Sequence, residues 1–169
     1  MFTIASLDIC ALMGVSPYDS PVSLYLKKKG KIPKEVIPEN FPMRLGRKLE
    51  RVAKDLAHDE GIVIIGSDFN LRKHHLYPQF ISVPDGFANS DSGQKVVEIK
   101  SCMHHHFNME FYEMQLRWHM FVCEQDGLLI LLTPDNMIIK EYCRDIEIEN
   151  QMVEAANDFL RRLENDDEP

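Results

Sequence analysis

The stretch SVPDGFANSDSGQKVVEIKSC, residues 82–102, sets a Pro-Asp-Gly turn ahead of a run that alternates like a buried strand. In an extended chain successive side chains point to opposite faces. Val96, Glu98 and Lys100 therefore share one face, while Val97 and Ile99 take the other and anchor the strand to a core. Glu98 and Lys100 project side by side at about 7 Å, the repeat of two strand residues. Asp85 lies upstream, and a hairpin through NSDSGQ (89–94) brings it alongside Glu98.

Working outward, the N-terminal half reads as helical. Ser6 caps a short helix through LDICALMG (7–14), closed by Gly14. A second helix runs through PVSLYLKKK (21–29), with Ser20 as cap, Pro21 at the first helical position and Gly30 past the end. The proline-punctuated loop IPKEVIPENFP follows. A long helix then spans about 43–60, its apolar stripe made of Leu45, Leu49, Val52, Ala53, Leu56 and Ala57. IVIIGS (62–67), HLYPQFISV (75–83) and QKVVEIKS (94–101) read as three strands. Asn108 caps a helix over about 109–125, with Gly127 beyond its end. LLILL, the turn TPDN and MIIKEYC form a hairpin. A last helix, about 146–163, turns Met152, Val153, Ala156, Phe159, Leu160 and Leu163 inward, and an acidic tail over 164–169 is expected to be disordered. The fold class is α/β, a mixed central sheet flanked by helices, expected as one domain over residues 1–169.

Composition narrows the class. With 44% hydrophobic and 27% charged residues the chain is an ordinary globular one, long enough to bury about two-thirds of its unfolded surface. It holds no apolar run of membrane-spanning length, and MFTIASLDIC has no signal-peptide pattern, so a cytoplasmic setting is expected, the host cytoplasm for a viral protein. Cys10, Cys102, Cys123 and Cys143 form no C-x-x-C pair, which removes a zinc or iron–sulfur reading and leaves buried thiols. The net charge of −8 speaks against binding nucleic acid by bulk attraction. Its distribution is uneven, because residues 1–81 hold twelve Lys/Arg against nine Asp/Glu, whereas 82–169 hold seven against eighteen. The basic clusters LKKKGKIPK, RLGRKLER and RKHH can make a patch or simply a solvated face.

Two carboxylates held together repel each other unless a cation sits between them, and such oxygen ligands suit Mg²⁺ or Mn²⁺. A lysine beside that cation can orient water or neutralise charge on a phosphoryl group. The competing reading is a Glu98–Lys100 surface salt bridge and a plain β-turn, since each piece alone is a common pattern. Their order on adjacent strands favours the metal site. Glu50 falls at the edge of the helical stripe beside Ala57, Gly46 and Met43, with Arg47 and Lys54 outside it. Gly46 leaves room for a close approach. A plain Glu50–Lys54 pair at i,i+4 is the alternative. MHHHFN after the strand reads as a solvated loop, and Trp118 as core.

Together these residues resemble the PD-(D/E)XK nuclease superfamily, and more narrowly the phage lambda exonuclease and YqaJ-like viral recombinase nucleases. ASLDICALMGVSPYDSPVSLYLKKKG is similar to that family's N-terminal segment, LGRKLE to its Gly-x-x-x-Glu helix, and HLYPQFISVPDG to its His-x-x-Pro…Pro-Asp-Gly strand. VVEIKS is similar to its Glu-x-Lys strand and YEMQLRWHM to its Tyr-x-x-Gln helix. The resemblance implies a restriction-endonuclease-like core and a Mg²⁺-dependent (or Mn²⁺-dependent) exonuclease using two ions on duplex DNA ends, in phage-type recombination or DNA processing. It implies Asp85 and Glu98 as metal ligands with the Ile99 carbonyl, Lys100 positioning and activating the attacking water, Glu50 at the site's edge, and Gln115 orienting Lys100 or the nucleophile. Tyr112 is left to packing. Ser6, Ser16 and Tyr18 fall where the family's first segment nears a DNA end, and Lys28, Lys29 and Arg47 are the expected DNA-binding cations. A homo-oligomer, trimeric as in the family, and a single-strand annealing protein are the implied protein partners. A restriction-like or structure-specific endonuclease, and an inactive DNA-binding relative, remain alternatives on the same fold.

Overall fold

A computed structural model of the chain describes residues 1–33, 38–66, 71–90, 93–102 and 107–169. His104, His105 and His106, read above as a solvated loop, lie outside the described residues. Helices α1 (Ser6–Leu12), α2 (Pro21–Lys28) and α3 (Phe41–Asp59) come first, then the short strands β1 (Ile64–Ile65), β2 (Arg72–Lys73) and β3 (Ile81–Ser82). Strands β4 (Gly86–Ser90) and β5 (Gly93–Ser101) follow, then α4 (Met109–Cys123), β6 (Gly127–Leu132), β7 (Met137–Tyr142) and α5 (Ile146–Asn165).

The main sheet runs β1-β4-β5-β6-β7, with β5 and β6 parallel and every other pair antiparallel. Parallel neighbours need a crossover between them, and α4 supplies it. Both inner strands are covered on both faces, which is why GLLILL in β6 is apolar throughout rather than alternating. On one face α3 sets Ala53 and Ala57 against Val97, Ile99, Leu128 and Ile130. On the other, α4 sets Leu116 and Met120 against Val96, Leu129 and Leu131. The outer side of α4 then packs on α1, α2 and α5 through Trp118, Phe111, Ile9, Tyr25, Met152 and Phe159. The expected mixed sheet flanked by helices is the observed one.

Local chemistry explains most boundaries, and also the misreadings. Ser20 accepts the Ser23 N–H at 3.2 Å, Asn40 that of Met43 at 3.0 Å and Asn108 that of Phe111 at 3.3 Å, each at the start of a helix. Ser6 is not a cap, because α1 starts one residue earlier: Ala5 takes the cap position, and the Asp8 carboxylate accepts the Ala5 N–H at 2.9 Å. HLYPQFISV is mostly turn, with Ile81–Ser82 paired in a separate ribbon with Arg72–Lys73 and Phe80 bridged to Ile4. Gly127 is not a helix terminator but the first residue of β6. A Cβ there would lie 2.6 Å from Met120 Sδ and 2.9 Å from Leu116 Cδ1, so its bare backbone is what lets α4 sit down on the sheet. At the chain's end α5 continues to Asn165, and Asp166 pairs with Lys29 while Asp167 meets Arg162 at 3.3 Å.

Candidate functional site

β4 and β5 pair from Gly86↔Val97 to Ser90↔Gly93, so β5 runs on for four residues past the last partner that β4 offers. Alternation of the ladder turns the N–H and C=O of both Val97 and Ile99 toward the β4 side. The Asp85 N–H still reaches the Val97 carbonyl at 3.1 Å. Beyond it the chain turns away at Pro84, and the Asp85 carboxylate takes over the vacated place, its Oδ2 accepting the Ile99 N–H at 2.7 Å. The Ile99 carbonyl faces the same gap without a strand opposite it. Asp85 therefore sits in the plane of the sheet, at the carboxyl end of β5, where α/β sheets commonly open a crevice.

Glu98 and Lys100 leave β5 toward α4, as strand alternation requires, while Val97 and Ile99 pack under α3. Glu98 is only 3% exposed. One of its oxygens pairs with the Lys100 ammonium and the other lies 3.1 Å from His119 Nε2. Burial alone would raise the Glu98 carboxyl, but Lys100 and His119 outweigh it and hold the group down to about 2. Among the described residues Asp85 has no such cation in contact. Burial first, and the Glu98 charge second, push its carboxyl up to about 8. Lys100 is desolvated, which favours the neutral amine, yet Glu98 wins and keeps the ammonium above its ordinary value. Its Nζ also lies 5.7 Å from the centre of the Tyr112 ring, which gives Tyr112 a packing role under the cation.

Asp85, Glu98 and the Ile99 carbonyl offer hard oxygen donors on neighbouring positions, and burial together with the Glu98 charge makes an ionised Asp85 costly in the absence of a cation. The residues present fit such an ion. Glu50 is at the edge of this group: its charge adds to the push on Asp85, while its Oε1 meets Lys54 Nζ at 2.7 Å in the i,i+4 pair noted as the alternative. Gly46 does not accommodate a tight approach among the described residues, because a Cβ there would have Ser101 Oγ as its nearest neighbour at 3.9 Å. Gln115 is 4% exposed, on the face of α4 that covers Glu98. No hydrogen bond joins it to Lys100 among the described residues.

The N-terminal segment borders the site. Cys10 on α1 feels both Glu98 and Lys100, although burial is the main reason its thiol is pushed up to about 12. Ser6 lies one turn before it on the same helix face. Ser16 Oγ accepts the Tyr18 and Asp19 N–H groups at 3.2 and 3.1 Å, shaping the turn into α2 and leaving Tyr18 exposed with its ring edge-on to Phe111. The expected DNA-binding lysines are spoken for within the fold. Lys28 bonds Asp8 at 2.9 Å and the Thr3 carbonyl at 2.8 Å, tying α2 to α1, and Lys29 bonds Asp166 and the Leu163 carbonyl, tying α2 to α5. Arg47 pairs with Glu39 but stands in an exposed row with Arg44, Lys48 and Arg51 along the outer face of α3.

His119 escaped the sequence reading. It is 2% exposed, contacts Glu98, and its Nδ1 lies 2.5 Å from Ser82 Oγ. Its one available signal was its place four residues after Gln115, on the same helix face. A second histidine group offers ligand atoms within 4.8 Å of one another, His74, His75 and Glu124. His74 Nδ1 already accepts the Leu76 N–H at 3.1 Å, and the two rings stack at 20°, so their in-plane lone pairs run nearly parallel rather than converging on an ion. A cleft of about 890 Å³ lies between α3 and the β6–β7 hairpin, is lined mainly by apolar side chains such as Leu49, Val52, Leu56 and Ile139, and holds none of the site residues.

No curated protein matches the chain in sequence. Among solved structures it is similar to an alkaline exonuclease, LHK-Exo, from Laribacter hongkongensis, with a TM-score of 0.73 and 18% identity over 98% of this chain and 90% of that one. The same protein in complex with dAMP gives 0.71 at 17% identity, with the same coverage. A phage-related exonuclease from Haemophilus somnus 129PT gives 0.65 at 13% identity, over 98% and 96% of the two chains. At these identities the likeness establishes a shared fold. Residues 3–124, which hold Glu50, Asp85, Glu98, Lys100, Gln115 and His119, match the YqaJ-like viral recombinase domain, and the chain belongs to that family.

Proposed function

We propose that this chain is a metal-dependent DNA exonuclease that hydrolyses phosphodiester bonds from an end of linear duplex DNA, in phage-type recombination or DNA processing. The observation that carries the reading is the Asp85 carboxylate, built into a gap in the sheet on the Ile99 N–H, where burial and the nearby Glu98 charge both disfavour its ionised form. Asp85, Glu98 and the Ile99 carbonyl would hold Mg²⁺ or Mn²⁺, two ions by family resemblance, with Glu50 directly or through water at the edge. Bound there, such ions acidify water and neutralise charge on phosphoryl oxygens. Lys100, held cationic beside Glu98 in the metal-free protein, would position and activate the attacking water and offset charge gathering on the phosphate. Gln115, on the same covered face, would help hold that water in line.

The row Arg44, Arg47, Lys48 and Arg51 would carry the phosphate backbone toward the site, a role that the internally bonded Lys28 and Lys29 are poorly placed to share. Tyr18 and Ser6 would border the DNA end. The exonucleases of similar fold support the reaction class, and dAMP in one of them is a mononucleotide, the kind of product that digestion from an end releases. On the family resemblance a homo-oligomer and an annealing-protein partner are also expected.

The test is a time course on linear duplex labelled at the 5′ or 3′ end, with and without Mg²⁺, beside a closed circular plasmid. The expected result is metal-dependent release of mononucleotides from the linear substrate and an intact circle. A circle cut at a comparable rate would favour the endonuclease alternative. No cleavage with Mg²⁺ or Mn²⁺ would favour the inactive DNA-binding relative.

A further inference from the structure

Ser82 on β3, His119 on α4 and Glu98 on β5 are 1%, 2% and 3% exposed, and they form a continuous polar chain through an otherwise apolar interface. His119 Nε2 lies 3.1 Å from one Glu98 oxygen, within hydrogen-bond reach, and a carboxylate can only accept, so the ring is the donor in that contact. Nδ1 then either accepts from the Ser82 hydroxyl or donates to its oxygen, and in both cases the ring is pinned at both edges. An apolar side chain of similar size at 119 would fill the space as well. It would leave one Glu98 oxygen with no donor in a place that water scarcely reaches, so packing alone does not account for an imidazole here.

We propose that His119 is a positioning residue for Glu98, with Ser82 as its anchor. The inference rests on the nuclease reading and deepens it. Glu98 has two oxygens. His119 ties one back toward α4, which fixes the plane of the carboxylate and would leave the other, which pairs with Lys100, to an ion shared with Asp85. Without the tie the carboxylate can rotate toward Lys100 and pair with it through both oxygens, and the oxygen left to that ion is lost. Partners that orient a metal-binding carboxylate in this way typically account for about 10–100-fold in metal affinity.

The experiment is a calorimetric titration of Mn²⁺ into the full-length, DNA-free protein and into His119→Leu, His119→Gln and Ser82→Ala, with thermal melts of the metal-free forms alongside. Glutamine keeps an N–H at the reach of Nε2 and leucine does not. Mn²⁺ affinity is expected to fall about 10–100-fold in His119→Leu, to stay within about threefold of wild type in His119→Gln, and to fall between these in Ser82→Ala. The Mn²⁺ concentration giving half-maximal cleavage of linear duplex should shift by the same factors, with a smaller change in the rate at saturating Mn²⁺. The inference is overturned if His119→Leu binds Mn²⁺ as wild type does, or if His119→Gln is impaired as severely as His119→Leu. Should His119→Leu fail to fold, wild-type affinity in Ser82→Ala overturns it. A wild-type protein that binds no Mn²⁺ overturns the nuclease reading and this one with it, whereas wild-type binding with an unaffected His119→Leu overturns this one alone.

Discussion

Burial, reinforced by the Glu98 charge, raises the Asp85 carboxyl from 3.8 to about 8 on folding. Between those values folding takes up a proton, so the metal-free protein should lose stability as pH rises from about 4 toward 8. Glu98 works in the opposite direction, because its folded value is depressed to about 2 from 4.5: its contribution is present above 4.5 and disappears as pH falls toward 2. Thermal melts without metal should therefore show a lower midpoint at pH 8 than at pH 5. Asp85→Asn should flatten that difference and raise the midpoint at pH 8, while saturating Mn²⁺ should stabilise wild type and leave Asp85→Asn unmoved. An Asp85→Asn protein that Mn²⁺ still stabilises would remove Asp85 from the ligand set. Lys100→Met makes the complementary case. It should abolish cleavage, yet bind Mn²⁺ at least as well as wild type because a nearby positive charge is gone, and calorimetry separates the two effects. At this scale the sequence displayed Asp85, Glu98 and Lys100 because charges in a β-branched run stand out. His119 did not stand out, since a histidine between Trp118 and Met120 on an apolar helix reads as core until the strand beneath it is known.

Among the elements, α3 and α2 show how similar basic clusters can do different work. Lys28 and Asp8 form a half-buried pair between α1 and α2, so Lys28→Glu should lower stability by on the order of 1–3 kcal/mol, with at most partial recovery in the swap Asp8→Lys/Lys28→Glu, since Asp8 also accepts the Ala5 N–H and Lys28 also bonds the Thr3 carbonyl. Differential scanning calorimetry checks both. Among the described residues Arg44 and Arg51 stand outside any such brace, on the exposed face of α3. Reversing both to glutamate should leave the melting midpoint nearly unchanged while weakening duplex binding, and should flatten the slope of log affinity against log salt by about two. An unchanged slope would place the DNA on another face. Helix periodicity gave α3, α4 and α5 to within a few residues, because wide apolar stripes leave little ambiguity. The strand β4 was hidden: GFANS is short and poor in β-branched residues, and only its pairing with β1 and β5 holds it extended. The reverse error came from HLYPQ, whose aromatic and aliphatic residues read as strand although Tyr77, Phe80 and their neighbours are stacking in a turn against Phe121.

For the molecule as a whole, the net charge of −8 opposes a polyanion at long range, and attraction must come from one local face. Among the described residues no helix is long and apolar enough to cross a membrane. One tight structural demand on the helix–sheet packing is at Gly127, where alanine would meet Met120 and Leu116 and should destabilise by about 1–3 kcal/mol, measurable by urea unfolding. A different demand falls on the β4–β5 hairpin. Its register sets Gly86 opposite Val97, which carries Asp85 to a place beside Ile99, 14 residues away along the chain. Most side chains along those strands could be exchanged for others of similar shape without disturbing that count. Removing a single residue from within β5 is another matter, since it turns every following side chain to the opposite face and would put Ile99 where Glu98 stands. Over generations, then, this segment is free to drift in spelling but not to lose a residue from one strand alone, and descendants that change its length should do so in matched pairs, one residue in each strand, which keep the aspartate opposite the glutamate it answers.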